Sequence, residues 1–168
     1  ERFQDVASLI QEKNISYIRY SNLSSLKGNE KLILIDAMGI LKQCYQLATI
    51  AVVAGSYTTR IGGHNIIEPC WFGKPVLFGP YMFTQNDLVN LVLQYEAGIQ
   101  SPLTDLDKVI SELLVNPTHL KQLSLNAKML THTIKGATQK TWQALINLSL
   151  LPLDSRDKLF DKKETNSL

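Results

Sequence analysis

Three short apolar runs set the limits on what this chain can become: Lys31-Leu32-Ile33-Leu34-Ile35, Ile50-Ala51-Val52-Val53-Ala54 and Pro75-Val76-Leu77-Phe78. Each is continuous rather than alternating, the pattern of a strand whose sheet is covered on both faces. Each is followed by a stretch of helical periodicity, at 38 to 47, 64 to 72 and 86 to 96. Strands that alternate with helices pair in parallel, because the helix carries the chain back across the sheet.

The rest of the chain fits this plan. Phe3, Val6, Ala7 and Ile10 stand at helical spacing within residues 1 to 13. Ile15 to Tyr20 alternates like a strand, Ser21 to Glu30 reads as a polar loop, and Gly98 reads as the stop of the 86 to 96 helix. Ile99-Gln100 forms a short last strand. After Pro102 the pattern is wholly helical, at 105 to 115, 117 to 132 and 137 to 150, with Pro117 suited to a first turn. The fold class is therefore α/β, a Rossmann-like parallel sheet with helices on both faces. Residues 1-150 form the domain, and 151-168, polar and balanced in charge, form a mobile tail.

Composition excludes several functions. With 17 Lys and Arg against 15 Asp and Glu, the net charge is only +2 and the basic residues are dispersed. A nucleic-acid footprint needs a concentrated basic face, so nucleic acid is not an expected partner. No apolar run approaches the roughly 20 residues of a membrane span. The opening Glu1-Arg2-Phe3, with neither Met nor a signal-peptide pattern, reads as the start of a piece cut from something longer. Cys44 and Cys70, set in apolar segments without a Cys or His at ligand spacing, read as buried free thiols in a reducing compartment, and no metal is expected.

Chemistry concentrates in Gly55-Ser56-Tyr57-Thr58-Thr59-Arg60-Ile61-Gly62-Gly63-His64-Asn65-Ile66-Ile67-Glu68-Pro69. In α/β sheets ligands bind at the carboxyl ends of the strands. This loop follows one strand, and Met38-Gly39 follows another, so both are expected on one rim. Paired glycines let a backbone approach a ligand, and a helix start offers free N–H groups to a phosphate. Each residue also has a plainer reading. Gly62-Gly63 can be a simple turn, Asn65 an N-cap, and His64 a structural histidine. Glu68 can complement the helix dipole, Arg60 can be a solvated charge, Ser56 can close its own loop, and Met38 can be core. Their combination in one window favours an anion or nucleotide pocket.

The pattern Gly-Gly-His-Asn-x-x-Glu-Pro at 62 to 69, followed by Gly-Lys-Pro-Val-Leu-Phe-Gly-Pro-x-x-Phe at 73 to 83, resembles the C-terminal domain of the 3-deoxy-D-manno-octulosonic acid (Kdo) transferases. Asp36-Ala37-Met38-Gly39 resembles a further family segment, and Glu1-Arg2-Phe3 the end of its Pro-Arg-His-Pro-Glu-Arg-Phe motif. The resemblance runs from residue 1 to about 148. It implies one half of a GT-B glycosyltransferase that moves Kdo from CMP-Kdo to a lipid A precursor in lipopolysaccharide assembly, at the cytoplasmic face of the bacterial inner membrane. It implies no cofactor, CMP-Kdo as donor substrate, and an N-terminal domain that carries the membrane anchor, the acceptor surface and the catalytic acid. Glu68 would hold the ribose hydroxyls. Asn65 and Gly63 would face the phosphate region, and Met38-Gly39 would line the nucleotide. Arg2, Ser56, Arg60, Gly62 and His64 complete the expected substrate-binding set. No residue resembles the catalytic base, so the isolated chain is expected to bind donor without transferring it.

The chain departs from the family at three places. The usual Asp-Thr-Met-Gly-Glu reads Asp36-Ala37-Met38-Gly39-Ile40, and Ile61 is an extra residue beside Arg60. Two other classes stay open on the residues alone: a UDP-sugar transferase or epimerase domain of the same architecture, and a non-catalytic nucleotide-binding module.

Overall fold

The structure, a computed structural model, describes residues 2 to 148. The expected tail at 151-168 and the end of the last helix lie outside the described residues. Two compact units emerge, divided after Ala51.

The first unit begins with helix α1 (Phe3–Glu12), strand β1 (Tyr17–Arg19), strand β2 (Leu32–Leu34) and helix α2 (Leu41–Leu47). β1 and β2 pair in parallel with Ile18 opposite Ile33. Ala7 and Ile10, one helical turn apart on α1, pack with Leu34, Tyr17 and Leu32. The segment expected to be plain loop holds a run of 3-10 turns at Tyr20–Ser25. That run is fixed by Asp36, which accepts hydrogen bonds from the Ser21 N–H at 2.9 Å and the Ser21 hydroxyl at 2.7 Å.

The second unit is built on strands β3 (Ala51–Val53), β4 (Val76–Phe78) and β5 (Gly98–Gln100), in that order across the sheet. β4 is central and buried at every residue, which its uninterrupted apolar run requires. It pairs in parallel with β5, Leu77 opposite Ile99. Helix α3 (Ile67–Trp71) follows β3, helix α4 (Asn86–Gln94) follows β4, and α5 (Leu106–Val115), α6 (Pro117–Ile134) and α7 (Ala137–Asn147) follow β5. The core joins Val53, Val76 and Phe78 from the sheet to Ile66, Ile67 and Cys70 around α3. Met82, Val92, Ala97, Ala127 and Leu130 complete it. Helix α6 buries Leu123, Ala127 and Leu130, a stripe at i, i+4 and i+7, and starts with Pro117 at its first turn and the Asn116 side chain capping the His119 N–H at 3.0 Å.

Strand and helix thus alternate as the apolar runs predict, with two differences. The strands form two ladders, β1-β2 and β3-β4-β5, rather than one sheet. Gly98 is not the helix stop. It opens β5, and α4 is ended by Glu96, whose φ of 50° turns the chain into the left-handed region.

Candidate functional site

The loop after β3 leaves the strand through a 3-10 turn at Ala54–Tyr57 and enters α3 at Ile67. It folds back on itself: the Gly62 N–H donates to the Thr58 carbonyl at 3.4 Å, and a Cβ on Gly55 would lie 3.0 Å from the Gly62 carbonyl oxygen. Gly62 takes a φ of 68°, where a side chain is strained. Gly63 meets a different demand. A Cβ there would overlap the sulfur of buried Met82, so the backbone approaches the neighbouring loop as closely as an α-carbon allows.

That neighbour is the loop from Gly79 to Gln85, at the carboxyl end of β4. Three contacts tie the two loops together. The Gly79 N–H donates to the Ser56 hydroxyl at 2.7 Å, the Tyr81 N–H donates to the Ser56 carbonyl at 2.9 Å, and Gln85 Nε2 donates to the Gly63 carbonyl at 3.4 Å. The Tyr81 and Phe83 rings stand 5.8 Å apart beside Gly62, and Phe83 is exposed.

Ser56 is fully buried, and its hydroxyl both donates to the Val53 carbonyl and accepts from Gly79. Both uses of the hydroxyl are internal, so of its two readings Ser56 here takes the one that closes its loop. Asn65 is exposed and its Oδ1 accepts from the Ile67 N–H at 3.0 Å, capping the first turn of α3. His64 is exposed on the same segment. The helix that follows begins at Ile67, later than expected, and has only five residues.

Glu68, half-buried in the first turn of α3, has no hydrogen-bond or ion-pair partner among the described residues. Pro69 next to it costs nothing there, since first-turn N–H groups lack intrahelical acceptors. A half-buried carboxylate without a partner, beside the exposed His64-Asn65 edge, is poised to accept hydrogen bonds from hydroxyl groups. Arg60 is exposed in the turn before Gly62, its backbone N–H 3.4 Å from the Thr58 hydroxyl.

Arg2, Met38 and Gly39 belong to the first unit. Arg2 faces solvent and pairs weakly with Asp5 at 4.0 Å. Met38 is 86% exposed, and Gly39 takes a φ of 83° with open space around it. Neither opens the helix, since α2 begins at Leu41 after an Ile40 cap; the pair forms a bend that projects from the unit. Met38 is accordingly not core.

Sequence reasoning placed Gln85 in a second rim loop, Phe83-Thr84-Gln85-Asn86, but gave no role to it or to Met82, which hold the Gly62-Gly63 turn from that loop. Their only signal was a position just after Phe78-Gly79-Pro80. Tyr57 and Ser101, at the ends of β3 and β5, each bury a hydroxyl oxygen without a partner among the described residues. No group of His, Cys, Asp or Glu among the described residues is arranged to hold a metal ion.

Parallel strands joined by helices, with a Gly-rich turn at the carboxyl end of β3, define a Rossmann-like α/β domain. No family model matches the chain. Among characterised proteins it is 36% identical over 144 residues to the 3-deoxy-D-manno-octulosonic acid transferase of Chlamydophila psittaci, covering 86% of this chain and 33% of that protein. It is 40% identical over 95 residues to the enzyme of the same name from Aquifex aeolicus, covering 56% of this chain and 26% of that protein. Among solved structures, it superposes on the C-terminal CMP-Kdo binding domain of WaaA from Acinetobacter baumannii with a TM-score of 0.72 and 28% identity, covering 77% of this chain and 67% of that one. The chain is a homologue of the Kdo transferases, similar to their C-terminal domain, which is half of a GT-B glycosyltransferase. It spans about a third of the length of the curated relatives it matches.

Proposed function

We propose that this chain is the donor-binding part of a Kdo transferase, taking the CMP portion of CMP-Kdo on the rim formed by Gly62 to Glu68. The observation that carries the reading is the half-buried carboxylate of Glu68, unpaired among the described residues, three residues after the exposed His64-Asn65 pair that follows the Gly62-Gly63 turn. Glu68 accepts hydrogen bonds from the ribose hydroxyls. The Gly63 and His64 backbone, the Asn65 amide nitrogen and the Arg60 guanidinium meet the phosphate, the last as a bidentate donor.

Transfer requires a base to take the acceptor hydroxyl proton and positive groups to stabilise the departing CMP phosphate. The rim supplies the second. The base, the lipid A precursor site and the inner-membrane anchor belong to another part of the full-length enzyme, so this chain alone binds donor and does not transfer it. No described helix is long and apolar enough to cross a membrane. Neither a metal nor a cofactor enters this scheme.

Calorimetry with CMP tests the reading. Glu68→Ala should weaken binding by roughly tenfold or more, the weight of hydrogen bonds to a charged acceptor. Undiminished affinity would remove Glu68 from the ribose site. Tighter binding of UMP than of CMP would move the chain to the uridine-nucleotide enzymes of the same architecture.

A further inference from the structure

We infer that Gln85 is a positioning residue for the Gly62-Gly63 turn, holding the Gly63 carbonyl with its amide nitrogen and presenting its amide oxygen to a hydroxyl or amino donor of the bound ligand. The ligand half of this inference rests on the nucleotide reading above; the positioning half does not.

Gln85 caps α4 with a φ of −135°, and its backbone is fixed on both sides. The Gln85 N–H donates to the Met82 carbonyl at 3.0 Å, and the Gln85 carbonyl accepts from the Val89 N–H at 3.0 Å. From this anchored point the side chain crosses to the other loop, where Nε2 lies 3.4 Å from the Gly63 carbonyl oxygen. The amide can face only one way, because the reverse orientation would set two oxygens against each other. With Nε2 committed, Oε1 is buried and has no donor among the described residues. Buried acceptors are ordinarily satisfied, and an exception at a ligand rim calls for an incoming donor.

The position matters as much as the pairing. Gly63 is held on its α-carbon by Met82 and on its carbonyl by Gln85, so the peptide that leads into His64 and Asn65 is fixed from the second loop. The 3.4 Å separation is long for N–H···O and has room to shorten when a ligand presses on the turn. Aromatic Phe83, two residues earlier on the same loop, flanks Gly62. The loop from Gly79 to Gln85 is therefore part of the site through its grip on the turn.

Gln85→Glu and Gln85→Ala test this in the full 168-residue chain. Ligand-free, the His64 backbone amide should shift in the NMR spectra of both variants, because its peptide carbonyl loses a donor. With CMP as probe, both should bind about tenfold more weakly at pH 7.5, the weight of one lost hydrogen bond. Gln85→Glu alone should recover toward wild-type affinity, compared at each pH, as its carboxyl protonates near pH 4 to 5 and can again donate to Gly63. A structural contribution would not give this pH-dependent rescue. An unmoved His64 amide overturns the positioning half whether or not CMP binds. CMP affinity equal to wild type in both variants overturns the ligand half, and a loss in Gln85→Glu that does not change with pH overturns the positioning of the turn by donation to Gly63. Glu68→Ala is the independent control: if wild type binds no CMP, the nucleotide reading and the ligand half fail together, and the His64 shift still decides the positioning half.

Discussion

The Ser56 hydroxyl oxygen accepts the Gly79 N–H at 2.7 Å while its proton goes to the Val53 carbonyl, so one buried side chain fastens the loop after β3 to the loop after β4. The pairing is reinforced by crowding. A Cβ on Gly79 would lie 2.5 Å from the Ser56 carbonyl oxygen. Removing the hydroxyl in Ser56→Ala leaves a buried N–H without an acceptor, which should cost about 1–3 kcal/mol by urea denaturation. Unchanged stability with a selective loss of CMP affinity would return Ser56 to a direct ligand role.

Gly63→Ala should be destabilising because its methyl must displace the buried Met82 sulfur. The expected cost is about 1–3 kcal/mol, as for other overpacked sites. Gly63→Ala combined with Met82→Ala should be less destabilised than the sum of the two single variants, which a double-mutant cycle reads directly. Additive losses would mean that the two residues do not share one space.

Burial pushes the Cys70 thiol up to about 12, with its Sγ hydrogen donated toward the Ile66 carbonyl at 3.5 Å. Cys44 is only partly covered. A thiol reagent at pH 8 should therefore modify Cys44 first and Cys70 only as fast as the chain opens. Because the raised group holds its proton more tightly when folded, its contribution to stability is complete below the ordinary thiol range, near 9, and is lost as the pH rises toward 12. Equal reaction rates for both thiols in the native protein would contradict this.

In the first unit, the Ser21 hydroxyl and then the Ser21 N–H hold the Asp36 carboxyl below its ordinary value, with Arg19 at 4.0 Å adding attraction. A lowered carboxyl favours the folded state above its unfolded pKa, about 3.9, and that support disappears as the pH falls through the lower folded value. Asp36→Asn should flatten the acid limb of the unit's stability curve relative to wild type, read by circular dichroism across pH 2 to 5. An identical acid limb in both proteins would show that Asp36 is not the group responsible.

Much of the fold was legible because its signal is local. The Leu32–Leu34, Ala51–Val53 and Val76–Phe78 strands are apolar runs, and the α6 stripe of Leu123, Ala127 and Leu130 repeats within one helix. What was not legible depends on distant pairing. Whether apolar strands form one ladder or two is decided by backbone partners that a run of Val, Ile and Leu does not encode. Ser56 reads equally well as a ligand residue or a loop closer until Gly79, 23 residues later, is brought against it. Gly98 looked like a helix stop because Glu96 gives no outward sign of its φ of 50°. The Gly62-Gly63-His64-Asn65 turn was recognisable as a unit, while its hold by Met82 and Gln85 exists only in the folded chain.

The central claim, a CMP site on the Gly62 to Glu68 rim, is tested most directly by titrating CMP into the isotopically labelled chain and following backbone amides by NMR. The account predicts saturable shifts concentrated in residues 60 to 68, with smaller ones at 79 to 86 transmitted through Ser56, Met82 and Gln85, and weaker binding of UMP. No shifts at millimolar CMP, or shifts confined to residues far from this turn, would contradict it.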